Sequence, residues 1–253
     1  MEPATAPAVR WRIAPERTEA VVLVLHGGRV EGTAPPGRRD SARLRMLPFL
    51  AALGRAGHGR SLAVGEVVYR CRGWNGPRAD AARDALAALD QVVAAHGRVP
   101  VVLVGHSMGG RAALRAAGHP SVAGVVALAP WWPSGEPVRQ LAGRRTALIH
   151  GDLDRVTDPV QAREVALEAR AAGASVCGYS VPGGRHAMLR RAGDWHRTTT
   201  RLALGLLGLV ALPTAAAAAL ELVGADRRGL ELPLPRGRRD LPPPGTDPQP
   251  ADG

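Results

Sequence analysis

Apolar residues in this chain gather in short unbroken runs: AVVLVLHGG at 20–28, AVGEVVYR at 63–70, VPVVLVGHS at 99–107, VAGVVALAP at 122–130, TALIHG at 146–151 and ASVCGYSVP at 174–182. A strand with one wet face alternates apolar and polar side chains. These runs do not alternate, so each predicts a strand buried on both faces of a parallel sheet. VRWRI at 9–13 predicts an additional edge strand. Between the runs the apolar spacing becomes helical. Residues 80–96 predict a helix with Asp80 as N-cap, Leu86, Leu89 and Val93 on one face, and Gly97 closing it. Another helix follows Ser107 directly in GGRAALRAAG, and TDPVQAREVALEARAAG predicts one with Asp158 as N-cap and Pro159 as its first residue. Strands alternating with helices predict a doubly wound α/β fold with helices on both faces of the sheet and right-handed crossovers.

The pattern changes toward the C-terminus. Residues 202–220, LALGLLGLVALPTAAAAAL, carry no charge over a length that could span a membrane. Pro213 and two glycines interrupt the stretch, alanines contribute little hydrophobicity, and an α/β sheet needs a last apolar helix to cover it. The expectation is a packed helix from near Asp194, with Trp195, Leu202, Leu206 and Leu209 turned inward, ended or kinked at Pro213 and followed by a short helix or loose extension. The predicted organisation is an N-terminal arm over 1–19, an α/β domain over 20–211, an alanine-rich extension over 212–232 and a disordered proline-rich tail over 233–253.

Composition alters this picture little. A length of 253 residues and a hydrophobic share of 45% suit one large domain with a substantial core. The formal charge of +11 raises the question of nucleic acid, but all 33 basic residues are arginines and aromatics make up only 3%. With Tyr69, Tyr179 and Phe49 the only aromatics besides tryptophan, no stacking surface accompanies the charge, so no nucleic-acid partner is expected. Cys71 and Cys177 have no metal-binding spacing and fall in separate predicted strands, which predicts buried free thiols. The first residues show no secretory-signal pattern, and a cytoplasmic location is the simplest expectation.

The run at 99–107 ends in Gly105-His106-Ser107-Met108-Gly109. Glycines around a serine can mark no more than a tight turn, or they can mark a nucleophile. A strand ending at Gly105 or His106 and a helix starting at Met108 or Gly109 put Ser107 on the bend between them. Its hydroxyl then projects from the carboxyl end of the sheet, and the Met108 amide, at a helix N-terminus, faces any oxyanion formed there. Serine needs a base and the base needs an orienting acid. His186 sits in the loop after the strand at 174–181, whereas His196 falls inside the final helix. Three aspartates compete as acid in HGDLDRVTDP: Asp158 is explained as a helix cap, Asp152 stands close enough to the strand end to bond loop backbone, and Asp154 is left. Gly28 in LHGGR is the first choice for the second oxyanion donor, with Arg29 behind it. His106, Trp131 and Trp132 stand at the same carboxyl edge as pocket residues, although the tryptophan pair is as readily simple packing.

Taken in order, LHGG, GHSMGG, HGDLDRVTDP and GGRHAML over roughly 20–210 resemble the α/β-hydrolase superfamily. The resemblance implies an eight-stranded, mostly parallel sheet and a serine hydrolase with Ser107 as nucleophile, His186 as base and Asp154 as acid. It leaves the substrate open. Many relatives insert a helical cap after the strand that here ends near Ala129, and residues 131–145 are too few for one. The leading expectation is hydrolysis of a small-molecule ester or thioester through an acyl-enzyme, with no metal and no organic cofactor. A lipase, a small peptidase and a non-catalytic binding protein on the same fold are the competing readings.

Overall fold

The structure, a computed structural model, describes residues 8–37 and 39–237. Its strands are β1 (Ala8–Ile13), β2 (Ala20–Leu25), β3 (Leu62–Val68), β4 (Val101–His106), β5 (Val122–Leu128), β6 (Arg145–Gly151), β7 (Ser175–Val181) and β8 (Leu232–Pro233). Its helices are α1 (Ser41–Gly57), α2 (Asp80–His96), α3 (Met108–Ala116), α4 (Pro159–Ala171), α5 (Ala192–Leu206) and α6 (Thr214–Leu220). The strands form one sheet in the order β1-β3-β2-β4-β5-β6-β7-β8. β1 runs antiparallel to β3, and the other pairings are parallel.

Both faces of the sheet are covered, which explains the unbroken apolar runs. In β2, Val21, Leu23 and Leu25 join the core under α2, α3 and α4, while Val22 and Val24 join the core under α1, α5 and α6. Each such side chain withdrawn from water is worth about 1.5–3 kcal/mol, so a polar residue at either parity would be costly. The chain leaves β2 for β3 on one side and crosses to β4 on the other. The carboxyl ends of β2 and β4 therefore flank the point where strand order reverses, the place where open α/β sheets build their sites. HGGR follows β2 there, and Ser107 follows β4.

Several expectations change in the folded chain. Asp80 does not cap α2: Ala79, at φ 46°, occupies the cap position without a side-chain bond, and Asp80 is buried as the first helical residue. It instead accepts from Asn75 Nδ2 at 2.6 Å and pairs with Arg78 at 3.0 Å. Leu86 points to solvent at 40% exposure, because the face of α2 that meets the sheet is built from Ala81, Ala85, Ala88, Leu89 and Val92. Cys71 lies in the loop beyond β3 and is partly exposed, whereas Cys177 is buried in β7; both are free thiols. The tail predicted to be disordered from 233 begins as structure: Leu232–Pro233 pair with Tyr179 and Ser180, and the Leu234 amide donates to the Ser180 carbonyl at 3.1 Å. The rest of that predicted tail, residues 238–253, lies outside the described residues, as do residues 1–7 of the N-terminal arm.

The long apolar C-terminal stretch divides. Trp195, Leu202 and Leu206 of α5 are buried against the sheet, α5 ends before Pro213, and the alanine run forms the separate α6. Leu209 lies beyond the helix and is only partly buried. Among the described residues no helix is long and apolar enough to cross a membrane. Between β5 and β6 the chain makes only a short turn of 3-10 helix at Arg139–Leu141, and no cap domain is inserted.

Candidate active site

Ser107 sits between the last residue of β4 and the first of α3 at φ 55°, ψ −119°. A non-glycine residue held there costs about 1–3 kcal/mol, and its surroundings must hold it. The Ser107 amide donates to the Leu128 carbonyl at 3.0 Å, and its own carbonyl accepts from the amides of Arg111 and Trp131, each at 3.1 Å. The flanking glycines are steric requirements. A Cβ on Gly105 would lie 2.2 Å from the Gly109 carbonyl oxygen, and one on Gly109 would lie 2.4 Å from that of Leu25.

His186, in the loop after β7, places Nε2 3.0 Å from Ser107 Oγ and Nδ1 2.9 Å from Asp154 Oδ2. The three residues singled out in the sequence are thus brought into one hydrogen-bonded line. Asp152 does not enter it: its Oδ1 accepts the Gly183 amide at 2.7 Å. Asp158 caps α4, accepting from the Val160 amide at 2.8 Å. His196 lies in α5 with its ring against Phe49.

Asp154 is the most heavily hydrogen-bonded side chain of the three. Oδ1 accepts the amides of Val156 at 2.8 Å and Thr157 at 3.1 Å. Oδ2 accepts the Thr157 hydroxyl at 2.9 Å, besides His186 Nδ1, and His150 Nε2 stands 3.3 Å away. Burial by itself would raise this carboxyl. The bonds from His150, His186 and the two amides outweigh it and hold Asp154 well below the usual carboxylate range. Thr157 Oγ1 also lies 3.2 Å from both His186 Nδ1 and His150 Nε2, so one hydroxyl touches every member of the acid side. Neither Thr157 nor His150 stood out in the sequence. Their only local signal is closeness in the chain, three residues after and four before Asp154.

The residues expected to line a pocket fare differently. His106 is buried beneath His186 rather than lining a cleft. Their ring centroids are 4.7 Å apart, and His106 Nε2 is 3.0 Å from the His186 carbonyl. Burial first, then the neighbouring His186, pushes the His106 imidazole down to about 3. It is therefore neutral near pH 7, and its Nε2–H donates to that carbonyl, fixing the histidine loop. Trp132 is core, at 2% exposure. Trp131 is partly buried and stacks on the Arg111 guanidinium at 4.2 Å, with Trp74 on the same group at 4.1 Å. Arg111 and Arg115 both bond Glu136, which lies buried in the β5–β6 link, so the link is fastened to α3. Arg29 is exposed, and its backbone is bonded to Arg72 and Trp74.

Gly28 lies against Met108: a Cβ on it would come within 2.4 Å of Met108 Cε. The two residues expected to supply oxyanion donors are therefore neighbours, with the Met108 amide at the first position of α3. His26 Nδ1 contacts the Gly27 carbonyl at 2.6 Å, and Tyr69 Oη donates to the His26 carbonyl at 3.2 Å, which holds the HGGR loop in place.

Residues 50–147 match the family described as serine aminopeptidase, S33. That span includes Ser107 and stops before Asp154 and His186. No curated protein matches the chain. Among solved structures, Est1E of Butyrivibrio proteoclasticus with ferulic acid bound is 13% identical at a TM-score of 0.60, over 80% of this chain and 96% of that one. A thermophilic esterase from Thermogutta terrifontis is 18% identical at 0.58, over 82% and 95%. A serine hydrolase without a lid from Xanthomonas campestris is 19% identical at 0.52, over 79% and 94%. Likeness at these identities is likeness of fold. By its sheet order, its serine on the bend after β4 and these neighbours, the chain has the α/β-hydrolase fold.

Proposed function

We propose that this protein is a serine hydrolase that cleaves a carboxylic ester or thioester through an acyl-enzyme at Ser107. The observation that carries the reading is the line from Ser107 Oγ to His186 Nε2 at 3.0 Å and from His186 Nδ1 to Asp154 Oδ2 at 2.9 Å. As Ser107 Oγ bonds the substrate carbonyl carbon, its proton passes to His186 Nε2 and the carbonyl electron pair moves onto oxygen. The amides of Met108 and Gly28 receive that oxyanion. Collapse expels the alcohol or thiol, which takes the proton from His186. Water then attacks the acyl-enzyme, gives its proton to His186, and Ser107 recovers it as the acid leaves. Asp154 stays ionised throughout and holds the imidazole by Nδ1. The reaction calls for no metal or organic cofactor, and the expected setting is the cytoplasm.

The partial match to a serine aminopeptidase family favours one second reading, cleavage of a peptide bond by the same groups. A fluorophosphonate probe, followed by a panel of acyl esters of graded chain length and aminoacyl anilides, tests both. The wild-type protein labels and Ser107→Ala does not, at unchanged circular dichroism. Without a cap to exclude water from a long chain, short soluble esters are turned over best. Labelling that survives in Ser107→Ala sinks the nucleophile assignment, and a rate that climbs with chain length or jumps at a lipid interface sinks the open-site reading.

A further inference from the structure

The loops after β6 and β7, which carry the acid and the base, also form a groove of about 520 Å³ lined by Leu153, Gly183, Arg185, Ala187, Leu189 and Arg190. That volume is in the range of small-ligand sites. Three of its lining residues are chain neighbours of the acid and the base: Leu153 precedes Asp154, and Arg185 and Ala187 flank His186. Two kinds of surface meet in it. Leu153 and Leu189 are 51% and 79% exposed, apolar area left open to solvent. Arg190 folds back across Gly183: a Cβ on that glycine would lie 2.8 Å from Arg190 Nε.

Among the described residues neither Arg185 nor Arg190 makes an ion pair. The next residue, Arg191, is by contrast fully committed, bonding Asp194 and the carbonyls of Leu234 and Pro235. Asp152, the carboxylate next to the groove, is engaged by the Gly183 amide. Apolar walls with two uncommitted guanidinium groups fit an amphiphilic anion, because a guanidinium binds carboxylate and phosphate oxygens in its planar fork.

The part of the substrate that reaches this groove follows from the chemistry. The leaving atom must come to His186 Nε2 to collect its proton, so the leaving group lies along the histidine loop. We propose that the groove seats the leaving group, and that the preferred leaving group carries a carboxylate or phosphate on a small apolar body. This rests on the hydrolase reading of Ser107.

The test compares para-acetoxybenzoate, its neutral methyl ester and para-acetoxyphenyl phosphate as substrates at low salt, in the wild type and in Arg185→Ala/Arg190→Ala. An anionic leaving group raises kcat/KM over the methyl ester by about fivefold or more in the wild type, and the ratio falls toward one in the variant and in high salt. Which of the two anions leads separates a carboxylate from a phosphate preference. Titration of para-hydroxybenzoate by calorimetry reads the groove without turnover, and the variant binds it more weakly. Equal kcat/KM for neutral and anionic esters overturns the groove assignment and leaves the hydrolase standing. If no ester is turned over but para-hydroxybenzoate binds in an arginine-dependent way, the groove stands and the hydrolase reading falls. Binding that ignores both arginines overturns the groove.

Discussion

The loop after β6 and the link after β5 leave the same edge of the sheet side by side, and each buries one carboxylate. Asp154 in the first is held by neutral donors, two amides and a hydroxyl, with imidazoles of His186 and His150 completing the shell. Glu136 in the second is held by the permanent cations of Arg111 and Arg115. The difference is one of chemical freedom. An arginine partner never gives up its proton, so the Glu136 cluster can only fasten the link and its Trp74–Arg111–Trp131 stack onto α3. Asp154 keeps its charge without a fixed cation, which leaves His186 free to gain and lose a proton beside it.

Exchanging each carboxylate for its amide breaks the comparison at its widest point. Asp154→Asn should lower kcat/KM for a soluble ester by about a thousandfold or more, because His186 loses its acceptor at Nδ1. Glu136→Gln should instead cost about 3 kcal/mol of stability by leaving buried guanidinium charge uncompensated, with a much smaller loss of rate. Urea melts and initial rates on the two variants check this, and equal rate losses at equal stability would dissolve the distinction.

A smaller change sharpens the acid side. Thr157→Val keeps shape while removing a hydroxyl bonded to a buried carboxylate, so kcat should fall about tenfold with KM little changed. Thr157→Ser should restore most of it. A purely structural role predicts a lower melting temperature in Thr157→Val at undiminished kcat.

The smallest effect is in the pH dependence of stability. His106 titrates near 6.5 when unfolded and is pushed down to about 3 when buried, so between those values the unfolded chain binds a proton that the native state does not. Stability should therefore fall as pH drops below about 6.5, with a slope approaching 1.4 kcal/mol per pH unit from this group. In His106→Asn that part of the slope disappears, which urea midpoints at a series of pH values from about 7 to 5 will register. Parallel curves for the two proteins would refute the assignment of a neutral buried imidazole.

What could be read from the sequence was whatever the chain encodes locally. Unbroken apolar runs announce strands covered on both faces, and Pro159 behind Asp158 announces the start of α4. The glycines around Ser107 announce a bend that no other residue fits, since both Cβ positions collide with backbone a few residues or one strand away. Asp154 is legible by elimination in part: Asp158 has a local duty as helix cap, which the structure also gives it, whereas Asp152 bonds the Gly183 amide in the loop after β7. Helix α1 carries Pro48 in its interior, against local preference, and is held by Met46, Phe49 and Leu53 packing on the sheet. Asp80 looked like a cap because the chain shows its neighbours in sequence and not Asn75 and Arg78 folded back upon it. The order that sets β3 between β1 and β2, the eighth strand at Leu232–Pro233, His106 under His186 and the Thr157 hydroxyl among three polar partners were likewise decided by tertiary structure. The physical reason is common to them. Backbone preference and side-chain periodicity act over a turn or a strand and are written in consecutive residues. The partner of a buried polar group is whichever segment packing brings within about 3 Å, and no local pattern carries that distance.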